Sequence, residues 1–337
     1  MWFSLNHRIN YLLLSLLSLS ILLGGRGPAH AAPGPSSLTV GQFLEQVQQA
    51  ARQLDYSGVI NYSSKAGVES MFLVHVVDGT GERERLEALD GASREYIRAN
   101  DVTQCLIPEQ KIVIIEKPRN DRFPALLANH SAHIEQHYTF SKEGVQRVAG
   151  HSCQQYTLTP RDPWRYGYQL CVDTKNHLLL KQQTFISAAE PKVISQVAFA
   201  NVDIGERVAV DALKTSWKYN NWKVIATNME QTNLASKGWR IPYPAGFTPV
   251  TEINRFIRSE RQVAQLVLSD GLASISVFIE PVDELSQRLT ADSGSQKGSI
   301  HLYRKRIGDY WLTATGEVPL ETLHFLGNNT EFVPLAK

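Results

Sequence analysis

Cys153 and Cys171 flank the middle of "GHSCQQYTLTPRDPWRYGYQLCVDTK", residues 150–175, which reads as a hairpin. Such a pair could ligate a metal, exchange electrons reversibly or form a structural disulfide. Zinc would need further Cys or His at ligand spacing, and a redox site would want Cys-x-x-Cys; neither pattern is present. A turn centred on Asp162 sets Cys153 opposite Cys171, Tyr156 opposite Tyr168 and Leu158 opposite Tyr166. One face is then apolar, and the other carries both cysteines among Gln155, Thr157, Gly167 and Gln169. Directly opposed residues bring their Cβ atoms near disulfide range. A Cys153–Cys171 bridge is therefore expected, with two reduced, packed thiols as the alternative. Cys105, on another strand, is expected to be a buried free thiol.

A second cluster is "HSAHIEQH", where helical spacing would put His130, His133 and His137 on one face near Glu135. Zinc hydrolases use convergent histidines, but the His-Glu-x-x-His base is missing, and an ordinary helix or loop accounts for the run. Ser274 follows "SDGLA", which reads as a turn into an alternating strand. No Gly-x-Ser-x-Gly elbow, P-loop or Gly-x-Gly-x-x-Gly occurs. The run "GERERLEALD" alternates charge and is read as a solvated strand face. No active site, metal site or cofactor is expected, and the chain is not read as an enzyme.

The elements that would position these residues begin after a leader. Arg8 precedes an apolar run, Tyr11 to Leu23, and Ala29-His30-Ala31 follows it. This is the pattern of a cleaved secretory signal over residues 1–31, too short for a comfortable membrane span. A soluble periplasmic protein is expected. Its net charge of +1, with acids and bases interspersed, makes nucleic acid an unexpected partner. Three cysteines in an exported chain allow one bridge and leave one thiol over.

Thr39-x-x-Gln42 has capping-box spacing, and Val40, Phe43, Leu44, Val47, Ala51 and Leu54 recur at helical intervals. From Tyr56 the period becomes two, and short strands follow with turns such as Asp78-Gly79-Thr80-Gly81 between them. One long helix and many sequential antiparallel strands predict an α+β fold: a half-barrel over residues 36–206 wrapped on helices. Residues 207–236 lose the alternation and are read as a polar linker that lets two domains shift. Strand signals resume over 237–327 with a helix at "PLETLHFLG", giving a smaller α+β domain.

The segments "LVHVVDGTGERERLEALDGASREYIR", "RVAGHSCQQYTLTPRDPWRYGYQLCVDTKNHLLLK", "PAGF" and "LVLSDGLASISVFIEP" resemble the MucB/RseB family across nearly all of the exported chain. The resemblance implies a lipoprotein-carrier-like N-terminal half-barrel and a smaller C-terminal domain. It implies a periplasmic negative regulator of sigma-E signalling. Such a regulator binds the periplasmic segment of a membrane-spanning anti-sigma factor and shields it from site-1 proteolysis. Lipopolysaccharide or lipoprotein acyl chains are the implied releasing ligands, and homo-oligomerisation is left open. A periplasmic lipid or lipoprotein carrier is the alternative, although a minimal carrier needs no second domain.

Overall fold

A computed structural model describes residues 38–116, 134–186, 190–205, 208–226, 229–257, 261–283 and 293–334. The leader, His130 and His133 lie outside these residues. Thr39 opens helix α1 (Val40–Gln53) with the predicted capping box. Its hydroxyl accepts from the Gln42 amide at 3.2 Å, and the Gln42 side chain accepts from the Thr39 amide at 3.0 Å. Val40, Phe43, Leu44, Val47, Ala50 and Ala51 form its buried stripe. Each of the larger ones stabilises the fold by roughly 1.5–3 kcal/mol on leaving water.

The strands that receive this stripe follow in chain order. They are β1 (Tyr56–Ser64), β2 (Gly67–Asp78), β3 (Gly81–Ala88), β4 (Glu95–Ala99), β5 (Val102–Ile107) and β6 (Ile112–Glu116). After the short helix α2 (Ile134–His137) come β7 (Tyr138–Val148), β8 (His151–Pro160), β9 (Gly167–Asp173), β10 (Leu179–Ile186) and β11 (Lys192–Ile204). With β12 (Lys223–Ala226) they form one twelve-stranded sheet, ordered β12-β6-β5-β4-β3-β2-β1-β11-β10-β9-β8-β7. Chain-neighbour hairpins and the long-range pair of β1 with β11 are antiparallel, and β12 joins β6 in parallel. The sheet stays open. Val40, Phe43, Leu44 and Val47 pack with Tyr138, Leu158, Tyr168 and Leu170, while Ala51 packs with Tyr56, Ile60 and Leu73. The helix thus spans both halves of the sheet, which is why the strands wrap around it.

The opposite face of the early strands is also covered. A 3₁₀ turn at Val210–Leu213 lies against β2 and β3. Arg85 donates to the Ala212 carbonyl, and the Thr215 hydroxyl donates to Glu95. Val74, Val76, Leu106 and Val113 are buried, and the pairings Val74↔Arg85 and Leu106↔Glu95 set them on this covered face. The polar segment read as a linker therefore supplies both a strand and a cover to the first sheet. The run "GERERLEAL" is correspondingly not a solvated face, because Arg85 and Glu95 are buried and ion-paired.

The second sheet is built from β13 (Met229–Gln231), β15 (Thr248–Ile257), β16 (Arg261–Ser269), β17 (Ser274–Pro281), β18 (Ser293–Lys297), β19 (Ile300–Ile307) and β20 (Tyr310–Gly316). Strand β14 (Trp239–Arg240) pairs separately with β21 (Glu331–Phe332). Helix α3 (Leu320–Asn328) packs on β19 and β20. Trp239, Leu266, Ile275, Val277, Leu312, Leu323 and Leu326 are among its core residues. Residues 38–337 form one compact unit.

Candidate functional site

The most elaborate polar cluster joins the two sheets. Trp164 and Arg165 lie in the β8–β9 turn, where Asp162 accepts from the Trp164 amide and from Arg165 Nε, each at 3.0 Å. Arg165 Nη1 donates to Asp270 Oδ2 at 2.6 Å, and both side chains are fully buried. Asp270 sits in the β16–β17 turn, where Oδ1 accepts from the Leu272 amide at 2.9 Å and the Ala273 amide at 2.7 Å. The Tyr138 hydroxyl adds a donor to Oδ2 at 3.0 Å. The guanidinium lies 5.7 Å from the Tyr138 ring and 5.0 Å from that of Phe247. Burial alone would lower the Arg165 pKa; the charge of Asp270 and the bond to Asp162 outweigh it and hold the group above its ordinary value. Burial pushes the Tyr138 phenol well up, and Asp270 adds to it.

Around this pair the seam continues. The Thr322 hydroxyl donates to the Trp164 carbonyl at 2.9 Å, and Trp164 packs on Phe325. Leu272 inserts into the cluster beneath α1. At the other end, Ser195 donates to Ser299 at 2.9 Å, and Glu317 Oε1 accepts from Thr184 at 2.9 Å and from Ser299 at 2.5 Å. Gly298, at φ 62°, turns the β18–β19 hairpin where a Cβ would meet the Tyr62 hydroxyl. Only glycine combines that conformation with that approach. The two sheets are thus docked through buried charge and side-chain hydroxyls.

Glu317 makes the seam sensitive to pH. Burial raises its pKa above the ordinary carboxylate value, and its hydroxyl partners only partly offset this. Its stabilising contribution is full below the unfolded pKa and is lost as pH rises through the folded one. Glu317→Gln should therefore gain stability relative to the parent at neutral pH. The difference should close in acid, in urea unfolding followed across pH. A gap that widens on acidification would show that the carboxylate is held ionised instead.

Cys153 and Cys171 are bonded, with Cα atoms 5.3 Å apart. The hairpin register differs from the sequence reading by two residues: Cys153 pairs with Asp173, Gln155 with Cys171 and Leu158 with Tyr168. The bonds from Trp164 and Arg165 to Asp162 wind the turn one residue further on, so it centres on Pro163. The cysteines are diagonal neighbours, buried among Tyr56, Leu178, Leu180 and Phe199 rather than on a polar face. Cys105 is half-buried and outside any disulfide.

A third cluster lies near the C-terminal end of α1. His75 Nδ1 is 2.8 Å from the Leu54 carbonyl and Nε2 3.1 Å from Glu82. Arg98 Nη2 donates to Glu82 at 2.7 Å and Glu84 at 3.1 Å. Its Nε and Nη1 are buried without a hydrogen-bond partner. Tyr56 stacks on His75 with centroids 4.8 Å apart. This is a buried charge network, with no nucleophile poised beside a base. His137 lies 4.0 Å from Asp162, and among the described residues no three ligating side chains converge on a metal position.

Sequence reasoning located the cysteines but missed Arg165, Asp270 and Glu317. The first two stand in "RDPWR" and "SDG", which read locally as turns, and nothing in either segment names the other.

Comparison with known proteins completes the description. Residues 39–217 match the MucB/RseB N-terminal domain and residues 233–331 the MucB/RseB C-terminal domain. The chain is 30% identical over 314 residues to the sigma factor AlgU regulatory protein MucB of Pseudomonas aeruginosa, covering 90% of this chain and 94% of that protein. It is 24% identical to the sigma-E factor regulatory protein RseB of Haemophilus influenzae, covering 94% and 96%. A crystal structure of MucB in complex with MucA(peri) superimposes with a TM-score of 0.67 at 26% identity, over 89% of this chain and all of that one. The P. aeruginosa MucA/MucB complex gives 0.65 at 26% identity, over 88% of this chain and 99% of that one. Two successive domain matches and a relative 30% identical along nearly the whole chain lead to one assignment: the chain belongs to the MucB/RseB family.

Proposed function

We propose that this protein is a periplasmic negative regulator of sigma-E-type signalling. It binds the periplasmic segment of a membrane-spanning anti-sigma factor and shields it from site-1 proteolysis. The observation that carries this reading is the similarity along both sheets to MucB, solved with MucA(peri). Protection of this kind needs no catalytic group. It is set by the free concentration of the regulator relative to its dissociation constant.

Release by lipid or lipoprotein is part of the reading. Leu86, Tyr96, Cys105 and Ile114 are cross-strand neighbours on the side of the sheet that α1 occupies, and all four are only partly buried. An apolar row on a concave sheet suits acyl chains. The same row favours the alternative, a periplasmic lipid or lipoprotein carrier. A ligand can release the regulator only by preferring a rearranged form, and the docked seam is the element that such a form would have to loosen.

Reconstituted proteolysis tests the proposal. Residues 38–337 should protect the periplasmic segment of the anti-sigma factor from the site-1 protease, and lipid A or lipopeptide should abolish protection. Cleavage at an undiminished rate, with saturating folded protein, would refute shielding. Lipid binding without any effect on cleavage would favour the carrier.

A further inference from the structure

The segment Val210–Val224 carries a group of side chains that neither the seam nor the sheet core uses. Trp217 and Trp222 have ring centroids 6.2 Å apart, and Tyr219 lies 6.2 Å from Trp222. Trp217 is 38% exposed, Val210 51% and Val224 58%, and Tyr219 and Trp222 are partly exposed. Three lysines, Lys214, Lys218 and Lys223, are interleaved with these rings against a single acid, Asp211, and all three are exposed. Asp211 pairs with Lys214 at 2.7 Å in full solvent, where such a pair contributes little and can be exchanged for another anion.

We propose that this segment docks on a bilayer surface rich in anionic phospholipid. Two features favour a bilayer over a protein. Lysine is depleted at the centre of protein interfaces, where arginine takes its place, yet every base in this segment is lysine. Tryptophan and tyrosine, with an apolar body and a polar edge, belong at the headgroup level of membranes. Lysine can lay its methylene stem along the apolar zone and keep its ammonium among phosphates. Each lysine near an anionic surface strengthens binding about fivefold. The backbone is held from behind by the contacts of Ala212 and Thr215 with the first sheet, so docking would not require the segment to fold.

The proposal goes beyond the regulatory reading and does not depend on it, because vesicle binding is read without a protein partner. Residues 38–337, one compact unit without the apolar leader, are floated with vesicles of phosphatidylglycerol and phosphatidylethanolamine, or of phosphatidylcholine alone. Binding to the anionic vesicles alone is expected, weakening as salt is raised, with tryptophan emission shifted to the blue. The triple variant Lys214→Glu, Lys218→Glu and Lys223→Glu should weaken binding by about a hundredfold or more. Trp217→Ser should remove most of the emission shift. Circular dichroism and the unfolding midpoint establish that each variant is folded. Equal binding to both kinds of vesicle, no binding to either, or anionic binding untouched by these substitutions in folded protein overturns the proposal. So does an anti-sigma segment that protects these side chains from modification while vesicles do not.

Discussion

Asp270→Asn is expected to destabilise the protein by about 3 kcal/mol, the low end of the cost of breaking a buried ion pair, because Asp162 still accepts from Arg165 Nε. Asn can still accept from the Leu272 and Ala273 amides, so the turn is kept and the charge is the main loss. Arg165 would remain fully buried between Tyr138 and Phe247 with no carboxylate on Nη1. Asp270→Ala should cost more, because the two turn amides lose their acceptor as well. The double variant Arg165→Met, Asp270→Asn should recover much of the loss, since it leaves no buried charge unpaired and keeps an acceptor for the two turn amides. Urea unfolding measures all three. Because the pair joins the sheets, the single variants should also separate one transition into two. An Asp270→Asn variant within 1 kcal/mol of the parent would mean that the pair is not buried in solution.

The Cys153→Ser, Cys171→Ser variant is expected to lose about 3 kcal/mol, the chain-entropy value for a closed loop of this length. The residues are 18 apart in sequence and join strands that are already adjacent, so the native state needs no rearrangement to accept the bond. Both sulfurs lie in the cluster of Tyr56, Leu178, Leu180 and Phe199, and two buried hydroxyls there would add a polar penalty. Cys→Ala at both positions separates that penalty from the cross-link. Unfolding of the parent with and without reductant gives an independent value. Peptide mapping of protein produced in an oxidising compartment, without reductant, should recover the two peptides linked. Free thiols at both positions would remove the bridge from the account.

The large open sheet and α1 were legible because their signals are local. The Thr39–Gln42 spacing and the apolar stripe fix the helix, and alternation with tight turns fixes the hairpins. The register of β8 and β9 was missed by two residues because the side chain of Asp162, not symmetry about it, sets the turn. The charged run on β3 was misread because the element covering it, Val210–Thr215, comes more than a hundred residues later and carries no apolar period of its own. Arg165 and Asp270 follow the same rule. Each lies in a segment with a sufficient local explanation, and only the folded chain shows that the two turns meet.

The twelfth strand has a consequence for how the molecule is made. Strand β1 cannot complete its ladder until β11 exists, with Ser64 opposite Ser195 and Tyr56 opposite Ile204. The edge at β6 then stays unpaired until Lys223–Ala226 arrives. A chain emerging N-terminus first would spend that interval with an open edge beside Val74, Val76, Leu106 and Val113, not yet covered by Val210–Thr215. Such topology folds slowly, because distant segments must meet before any contact rewards their ordering. Exposed edges and apolar faces are the species on which aggregation and holding chaperones act. The step that completes the first sheet therefore comes late in synthesis, once the chain has passed residue 226.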